Sequence, residues 1–406
     1  MDLNILILSH EFLPFVFGGL GTYVYDVSRA LIENNVNVFV LTASFSKSRE
    51  SKEVLEEDLV ERIPILRIWL GNYPYKDLRF GLAVRRILVK IIKEYKIDVV
   101  HTNPFYLGEF IRELKQYVRV VISMHGSRYA SLKHLSSVIG NLQRFILALS
   151  DYTLLIPHFT APITENILIK ELIHSDAIIS PSIHTKNEIN ISYGIDETKI
   201  FTIRPIVNTE SDTVITQLNS KGIIDEMHIP AFVYAGRLTV IKGLIEFLNA
   251  LSEINNYVHV YIFGDGPLKR VVKAYEKKVK GLHYMGKVSP RIWHSFVSGL
   301  KRAFFVYPSF WEAAPRALLE AYALGLPAII PDLEWAYEYS IMGQTLLTDI
   351  FDKKHFKKVL EEAINIMNSS KEYRRMSQKA KDYIHLFHNK KRIVRELIKV
   401  YKSSCS

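Results

Sequence analysis

The chain has 406 residues, 52 Lys plus Arg against 42 Asp plus Glu, a formal charge of +10, 48% hydrophobic residues and 12% aromatic. So much apolar material exceeds what one core usually serves, so two domains of roughly 150 to 200 residues are expected; with 19 Gly, 15 Pro and 23% charged residues, disordered, collagen-like and low-complexity chains are excluded. The single Cys405 excludes an internal disulfide and a Cys-rich zinc site, and points to a reducing compartment.

The opening apolar run, residues 3–8, is too short for a secretory signal and leads into polar Ser9-His10-Glu11, so it reads as a strand. Further β-branched runs predict strands near 36–42, 65–70, 97–102, 118–124, 176–180 and 200–203, with helices between them. Residues 77–96 read as an amphipathic helix, with Leu78, Leu82, Ile87, Leu88, Ile91, Ile92 and Tyr95 opposing Arg79, Arg85, Arg86, Lys90 and Lys93. Such a helix either covers the sheet with a solvated basic face or lies on anionic lipid headgroups. The most apolar later stretch, residues 145–157, is cut by Asp151 and falls short of the roughly 20 residues a membrane span needs.

After a polar stretch over 208–228, a second series of strands is predicted near 231–235, 257–263, 282–285, 303–307 and 326–330. Strand and helix alternate throughout, the pattern of parallel α/β sheets. Two doubly wound Rossmann-like domains are therefore expected, over 1–205 and 206–388, with a linker near 205–230. A last helix at about 389–403, in the segment 389–406, lies too far from the second sheet's last strand to be needed there and is expected to pack elsewhere, on the first domain. Ligands of open α/β sheets bind beyond the carboxyl ends of the strands, so the residues just after each strand carry the search for function.

After the first strand come His10-Glu11 and Gly18-Gly19-Leu20-Gly21, before a helix expected from Thr22. The glycines fit a plain turn or a loop that presents backbone N–H groups to an oxyanion, and their spacing is not the dinucleotide fingerprint. His10 and His101, at strand ends, suit structural hydrogen bonds; His125-Gly126 after the fifth strand suits either a structural or a sugar-contacting imidazole. In the second half, Gly236-Arg237 follow a strand and Lys242-Gly243 open a helix. Both cations could face one diphosphate or simply be solvated. Gly264-Asp265-Gly266-Pro267 makes a tight turn. The most informative run is Tyr307-Pro308-Ser309-Phe310-Trp311-Glu312-Ala313-Ala314-Pro315-Arg316-Ala317-Leu318-Leu319-Glu320: two carboxylates, Glu312 and Glu320, up to roughly 12 Å apart, wider than the roughly 5 to 9.5 Å of a glycosidase pair, flank a helix start.

Together these segments resemble the retaining glycosyltransferases of family four, which have the GT-B fold of two Rossmann-like domains facing across a cleft. The resemblance runs from Gly18-Gly19-Leu20-Gly21 through His125-Gly126, Gly236-Arg237, Lys242-Gly243 and Gly264-Asp265-Gly266-Pro267 to Glu312 through Glu320 and Ala321-Tyr322-Ala323-Leu324-Gly325-Leu326-Pro327. It implies a hexosyltransferase that moves a sugar from a nucleotide-diphosphate-sugar donor to an acceptor hydroxyl with retained configuration. By position, Arg237 and Lys242 would hold the diphosphate and stabilise its growing charge. Glu312 would contact the sugar, near the amides of Arg316 and Ala317, and Glu320 would take the ribose hydroxyls. Gly19 and Gly21 would approach the phosphates, Gly236 and Gly264 would line the donor site, Val288 beside Lys287 would flank the base, and His125 would touch the sugar near the reacting carbon.

No metal and no other cofactor is expected: Asp-x-Asp is absent, which disfavours the metal-dependent design, and two cations can replace the ion. Two departures stand out. Arg204-Pro205-Ile206-Val207-Asn208 replaces the usual Pro-Asn-Gly-Val-Asp, and Leu333-Glu334-Trp335 replaces a glycine pair over the donor sugar, so a catalytically silent relative is also considered. The acceptor would be a sugar, glycan or lipid-linked molecule, its pocket shaped by the apolar residues 152–162, and the enzyme would be cytoplasmic, with an anionic membrane surface as a possible partner. A sugar phosphorylase of the same architecture is the alternative, which Glu320 as a ribose ligand disfavours. Nucleic acid is not an expected partner: the charge attracts polyanions in general, but the basic residues are spread and no binding module is recognisable.

Overall fold

The computed structural model describes residues 3–15, 19–44, 55–70, 76–126, 164–209, 229–254 and 258–403. Gly18, the stretches 145–157 and 152–162, residues 210–228 of the linker and Cys405 lie outside the described residues. The chain forms two compact units, which among the described residues comprise 3–126, 164–206 and 389–403 in the first and 207–209, 229–254 and 258–388 in the second.

The first unit is built on β1 (Asn4–Ser9), β2 (Asn37–Ser44), β3 (Leu55–Val60), β4 (Ile63–Trp69), β5 (Val99–Thr102), β6 (Arg119–Ser123), β7 (Ala177–Ser180) and β8 (Ile200–Thr202), in the sheet order β3-β4-β2-β1-β5-β6-β7-β8. All neighbours run parallel except β3, which pairs antiparallel with β4. Because side chains alternate across a strand, Ile5 and Ile7 of β1 join one buried cluster while Leu6 and Leu8 join another on the opposite face. On the first face lie α1 (Gly19–Ile32) and the last helix of the chain; on the second lie α2 (Lys76–Glu94) and α3 (Phe110–Leu114). A sheet buried on both faces must read as continuous apolar runs, as ILIL does in β1.

Three expectations are corrected here. Helix α1 begins at Gly19, not Thr22. The strand β3 was not foreseen, because its LEEDLV sequence is poor in strand formers; it is an edge strand, held by Asp58, whose carboxylate accepts 2.8 and 3.0 Å hydrogen bonds from the buried Arg67 of β4. In α2, Leu78 and Leu82 are 41% and 49% exposed, while Phe80 and Val84 are buried instead. Gly81 explains the rotation. A Cβ there would come within 1.8 Å of the Phe105 carbonyl, so the helix lies tightly on that loop with residues 80, 81, 84 and 88 inward.

After α4 (Ile183–Tyr193), the second unit carries β9 (Ala231–Ala235), β10 (His259–Phe263), β11 (Leu282–Gly286), β12 (Ala303–Val306), β13 (Ala328–Pro331) and β14 (Thr345–Thr348), all parallel in the order β11-β10-β9-β12-β13-β14. Phe232 and Tyr234 of β9 face α5 (Leu244–Leu251) and, later in the chain, α10 (Lys353–Asn368). Ala231 and Val233 face α7 (Pro290–Gly299), α8 (Arg316–Ala323) and α11 (Ser370–Phe387); α6 (Lys269–Glu276) and the short α9 (Glu334–Tyr337) complete the unit. The edge strand β14 was not foreseen either. The last helix, α12 (Lys390–Lys402), is capped by Asn389, whose side chain accepts from the Arg392 amide at 3.1 Å, and buries Ile393, Val394, Leu397, Val400 and Tyr401 in the first unit's core.

Candidate active site

In the second unit the chain leaves β9 for β10 and β11 on one side, then returns to β12 on the other. The carboxyl ends of β9 and β12 therefore flank a topological switch point, where α/β sheets open a crevice for ligands. The expected donor residues fall there: Gly236, Arg237 and Lys242 after β9, and Glu312, Arg316, Ala317 and Glu320 after β12. Gly264 follows β10 and the half-buried Val288 follows β11.

Two glycines draw these loops together. Gly264, at φ +132°, has no room for a Cβ, which would come within 1.9 Å of the Gly236 carbonyl; Gly243, at φ +64°, would put one 1.9 Å from the Pro308 carbonyl. That approach brings Lys242 to Glu312. The Lys242 ammonium donates to Glu312 Oε1, and the buried Tyr307 hydroxyl donates to the same oxygen at 2.7 Å. Burial, and then the charge of Glu312, hold the Tyr307 phenol well above its ordinary pKa, so it stays a donor. Behind it the fully buried Trp335 stands edge-on, ring centroids 6.4 Å apart.

Glu320 lies five residues into α8 and is 8% exposed. Its Oε1 accepts from Arg316 Nε at 2.9 Å; its Oε2 accepts from Trp293 Nε1 at 3.2 Å and contacts His294 Nε2 at 3.4 Å. Burial raises its pKa, but the His294 hydrogen bond and the Arg316 charge outweigh that, and the carboxyl lies below its usual range. Pro315 stands at the N-cap of α8, one position before the first turn in which it was expected, and no side chain caps that helix. Trp293 and His294 were not anticipated, and Tyr307, the first residue of the most informative run, was given no role. The one available signal was Trp293-His294 on the helix that follows the third strand of the series, since a buried indole N–H needs a partner.

The first unit has its own switch point, between β1 and β5. Glu11 after β1 is buried and accepts from the Gly21 amide at 3.0 Å, so the glycine loop's N–H is held by a carboxylate of the same chain. A Cβ on Gly19 would meet nothing within 4 Å, so packing does not require glycine there. His10 Nδ1 lies 3.1 Å from Asp77 and its ring is edge-on to Phe105. His101 is buried between Tyr401 of α12, 2.7 Å from Nδ1, and Ser123, 2.6 Å from Nε2; Ser123 in turn meets the Tyr23 hydroxyl at 3.2 Å. Tyr23 packs edge-on against His125, centroids 4.3 Å apart. Burial lowers the His101 pKa to about 3, helped by His125, and that of His125 to about 4, so both rings are neutral near pH 7. The His125 Nε2 is buried and has no hydrogen-bond partner among the described residues.

Comparison with known proteins decides the family. The model Glycosyltransferase Family 4 matches residues 17–211, and Glycosyl transferases group 1 matches residues 229–365. The chain is a family-4 glycosyltransferase. Its fold is GT-B, with two Rossmann-like domains: the sucrose-phosphate synthase structure from Thermosynechococcus elongatus superposes with a TM-score of 0.74 over 99% of this chain and 98% of that one, at 16% identity. A glycogen synthase of Mycobacterium tuberculosis is 23% identical over 84% of this chain and 81% of its own length. The UDP-Gal:alpha-D-GlcNAc-diphosphoundecaprenol alpha-1,3-galactosyltransferase of Escherichia coli is 29% identical over 61% of this chain and 60% of its own. This glycosyltransferase has, among its described residues, no helix long and apolar enough to cross a membrane, and no group of three His, Cys, Asp or Glu that could hold a metal ion.

Proposed function

We propose that this enzyme transfers a sugar, with retention, from a nucleoside-diphosphate sugar to an acceptor hydroxyl. The observation that carries the reading is the pairing of Lys242 with Glu312 at the β9/β12 switch point, with exposed Arg237 on the same loop. Lys242 is held by a carboxylate it can exchange for a phosphate. On donor binding, Arg237 and Lys242 would share the diphosphate's charge and stabilise it as it departs, a role a metal ion would otherwise fill. Glu312, relieved of the ammonium and still held by Tyr307, would turn to the sugar hydroxyls. In the proposed step the bond from the anomeric carbon to phosphate breaks and the acceptor oxygen bonds on the same face. The acceptor's proton passes to the departing phosphate oxygen. His125, neutral and with its buried Nε2 unpartnered among the described residues, suits a sugar hydroxyl, and Gly19, with space at its Cβ position, suits close approach of phosphate.

For the acceptor, a lipid-linked sugar is our reading, supported by the Escherichia coli relative, whose name gives a diphosphoundecaprenol-linked substrate. The outer face of α2 supports it too, with exposed Leu78 and Leu82 near Arg85, Arg86, Lys90 and Lys93. Work in the cytoplasm, at an anionic membrane surface, follows from that reading. Salt-sensitive flotation with anionic liposomes tests it, and no binding would remove it.

The donor site is tested by melting the protein with UDP-, GDP- and ADP-sugars, since a ligand of the native state must raise the melting temperature. Lys242→Ala and Glu320→Ala should shrink the shift, and Glu312→Ala should chiefly lower turnover. Full nucleotide affinity in both of the first two variants would overturn the donor-site assignment.

A further inference from the structure

The cations of the chain are spread along its sequence, but their excess is not. Residues 265–291 run from the loop after β10 through α6 and the edge strand β11 to the start of α7, and hold eight Lys or Arg against two carboxylates, six of the chain's ten excess charges. Both carboxylates are already engaged. Asp265 accepts from the Gly266 amide at 2.9 Å and lies 3.7 Å from the Lys269 ammonium, and Glu276 accepts from the Tyr284 amide of β11 at 2.7 Å. Arg270, Lys273 and Lys277 recur three and four residues apart, so they share one face of α6 and its C-cap. These three, with Lys278 and Lys287, are exposed and make no ion pair among the described residues. Val272, on the other side of α6, is buried in the second unit's core and holds the helix there.

We propose that the outer face of α6 and the adjoining carboxyl end of β11 form a docking surface for an anionic lipid bilayer, separate from α2 of the first unit. Four of its five unpaired cations are Lys, hydrated point charges that suit a diffuse plane of headgroups rather than the bidentate reading of one phosphate. The aromatic residues here are not stacking platforms for nucleic-acid bases: Tyr275 and Tyr284 are half-buried, their hydroxyls donating to Asn249 Oδ1 at 2.6 Å and to the Gly264 carbonyl at 3.1 Å. None of the large apolar side chains exposed among the described residues lies between 265 and 291, so the contact is electrostatic and needs no insertion, unlike that of Leu78 and Leu82. The choice of a bilayer as the polyanion rests on the membrane reading of the proposed function; the charge excess itself does not.

Flotation with vesicles of phosphatidylcholine, and of equimolar phosphatidylcholine and phosphatidylglycerol, tests the proposal in wild type and in the triple variant Lys273→Gln, Lys277→Gln, Lys278→Gln. In low salt the triple variant should bind the anionic vesicles about 100-fold more weakly, at about 5-fold per charge, whereas Arg at the same three positions should bind like wild type. The difference should vanish at about 1 M salt, where the screening length falls to about 3 Å. All three side chains are exposed, so the variant should melt with wild type and keep its affinity for the donor nucleotide. If wild type and the triple variant float equally well with anionic vesicles in low salt, the proposal is overturned and the reading of α2 stands. Wild type that floats with neither vesicle overturns both. A triple variant that keeps its flotation but loses affinity for single-stranded DNA would show a nucleic-acid surface instead.

Discussion

Lowering the pH from 7.5 to 5 should weaken the first unit through two imidazoles. His101, enclosed by Tyr401 and Ser123, and His125, against Tyr23, have pKa values of about 3 and about 4 in the folded chain, each lowered from an ordinary 6.5 chiefly by burial. The folded-state values are depressed, so between 6.5 and about 4 the unfolded chain binds protons that the folded chain does not. Stability is therefore full above pH 6.5 and is lost as pH falls toward the folded-state values. Each pH unit in this window is worth about 1.4 kcal/mol per group. At pH 5 each ring contributes a loss of about 2 kcal/mol, and the pair about 4 kcal/mol, a large part of a typical total of roughly 5 to 15 kcal/mol. The assay is hydrogen exchange at the amides of β5 and β6 at both pH values, in wild type and in His101→Gln, whose amide can still meet both hydroxyls. The variant should lose about 2 kcal/mol less than wild type over this range. Equal losses in the two proteins would show that His101 is not held neutral.

Two further outcomes follow from packing. Gly243→Ala forces a Cβ to within 1.9 Å of the Pro308 carbonyl at a φ of +64°; it should destabilise the second unit by about 2 kcal/mol or more in urea titration and lower donor affinity by separating Lys242 from Glu312. On α2, Leu78→Gln and Leu82→Gln should change stability by less than about 0.5 kcal/mol yet reduce liposome flotation, whereas Phe80→Ala should cost about 3 to 5 kcal/mol.

The reach of sequence reasoning differs between strands and contacts. Strands buried on both faces, such as β1, β6 and β9, announce themselves as unbroken apolar runs, because both faces need the same chemistry. Edge strands are less uniform: β8 and β11 were foreseen, whereas β3 is acidic and β14 has one buried residue, so neither of these two shows that pattern. Helix faces are legible only as far as periodicity dictates them. Leu78 and Leu82 fit the apolar stripe of α2, but the close approach at Gly81 turned the stripe toward Phe80 and Val84. The charged residues of the candidate site were legible because they follow strand ends at short, fixed spacings. Their partners were not, since Tyr307 on Glu312 and Trp293 with His294 on Glu320 meet only once β9, β12 and α7 have packed.

The loop at 333–335 brings both kinds of reading to one residue. In the sequence, Leu333-Glu334-Trp335 stands where the family has a glycine pair, which puts donor contacts in question. In the structure Trp335 is 1% exposed and part of the second unit's aromatic cluster, edge-on to Tyr307, the residue that holds Glu312. Its indole Nε1 has no hydrogen-bond partner among the described residues, so its contribution there is volume and shape. Trp335→Phe then removes no hydrogen bond and should cost less than about 1.5 kcal/mol. Trp335→Ala leaves a cavity and should cost about 3 to 5 kcal/mol, and the freed Tyr307 ring should loosen Glu312, lowering turnover more than nucleotide affinity. Urea titration and donor hydrolysis measured on both variants test the argument. A Phe variant as unstable as the Ala variant would mean that the indole N–H has a partner, and an Ala variant with wild-type turnover would mean that Tyr307 does not transmit the packing of this loop to Glu312.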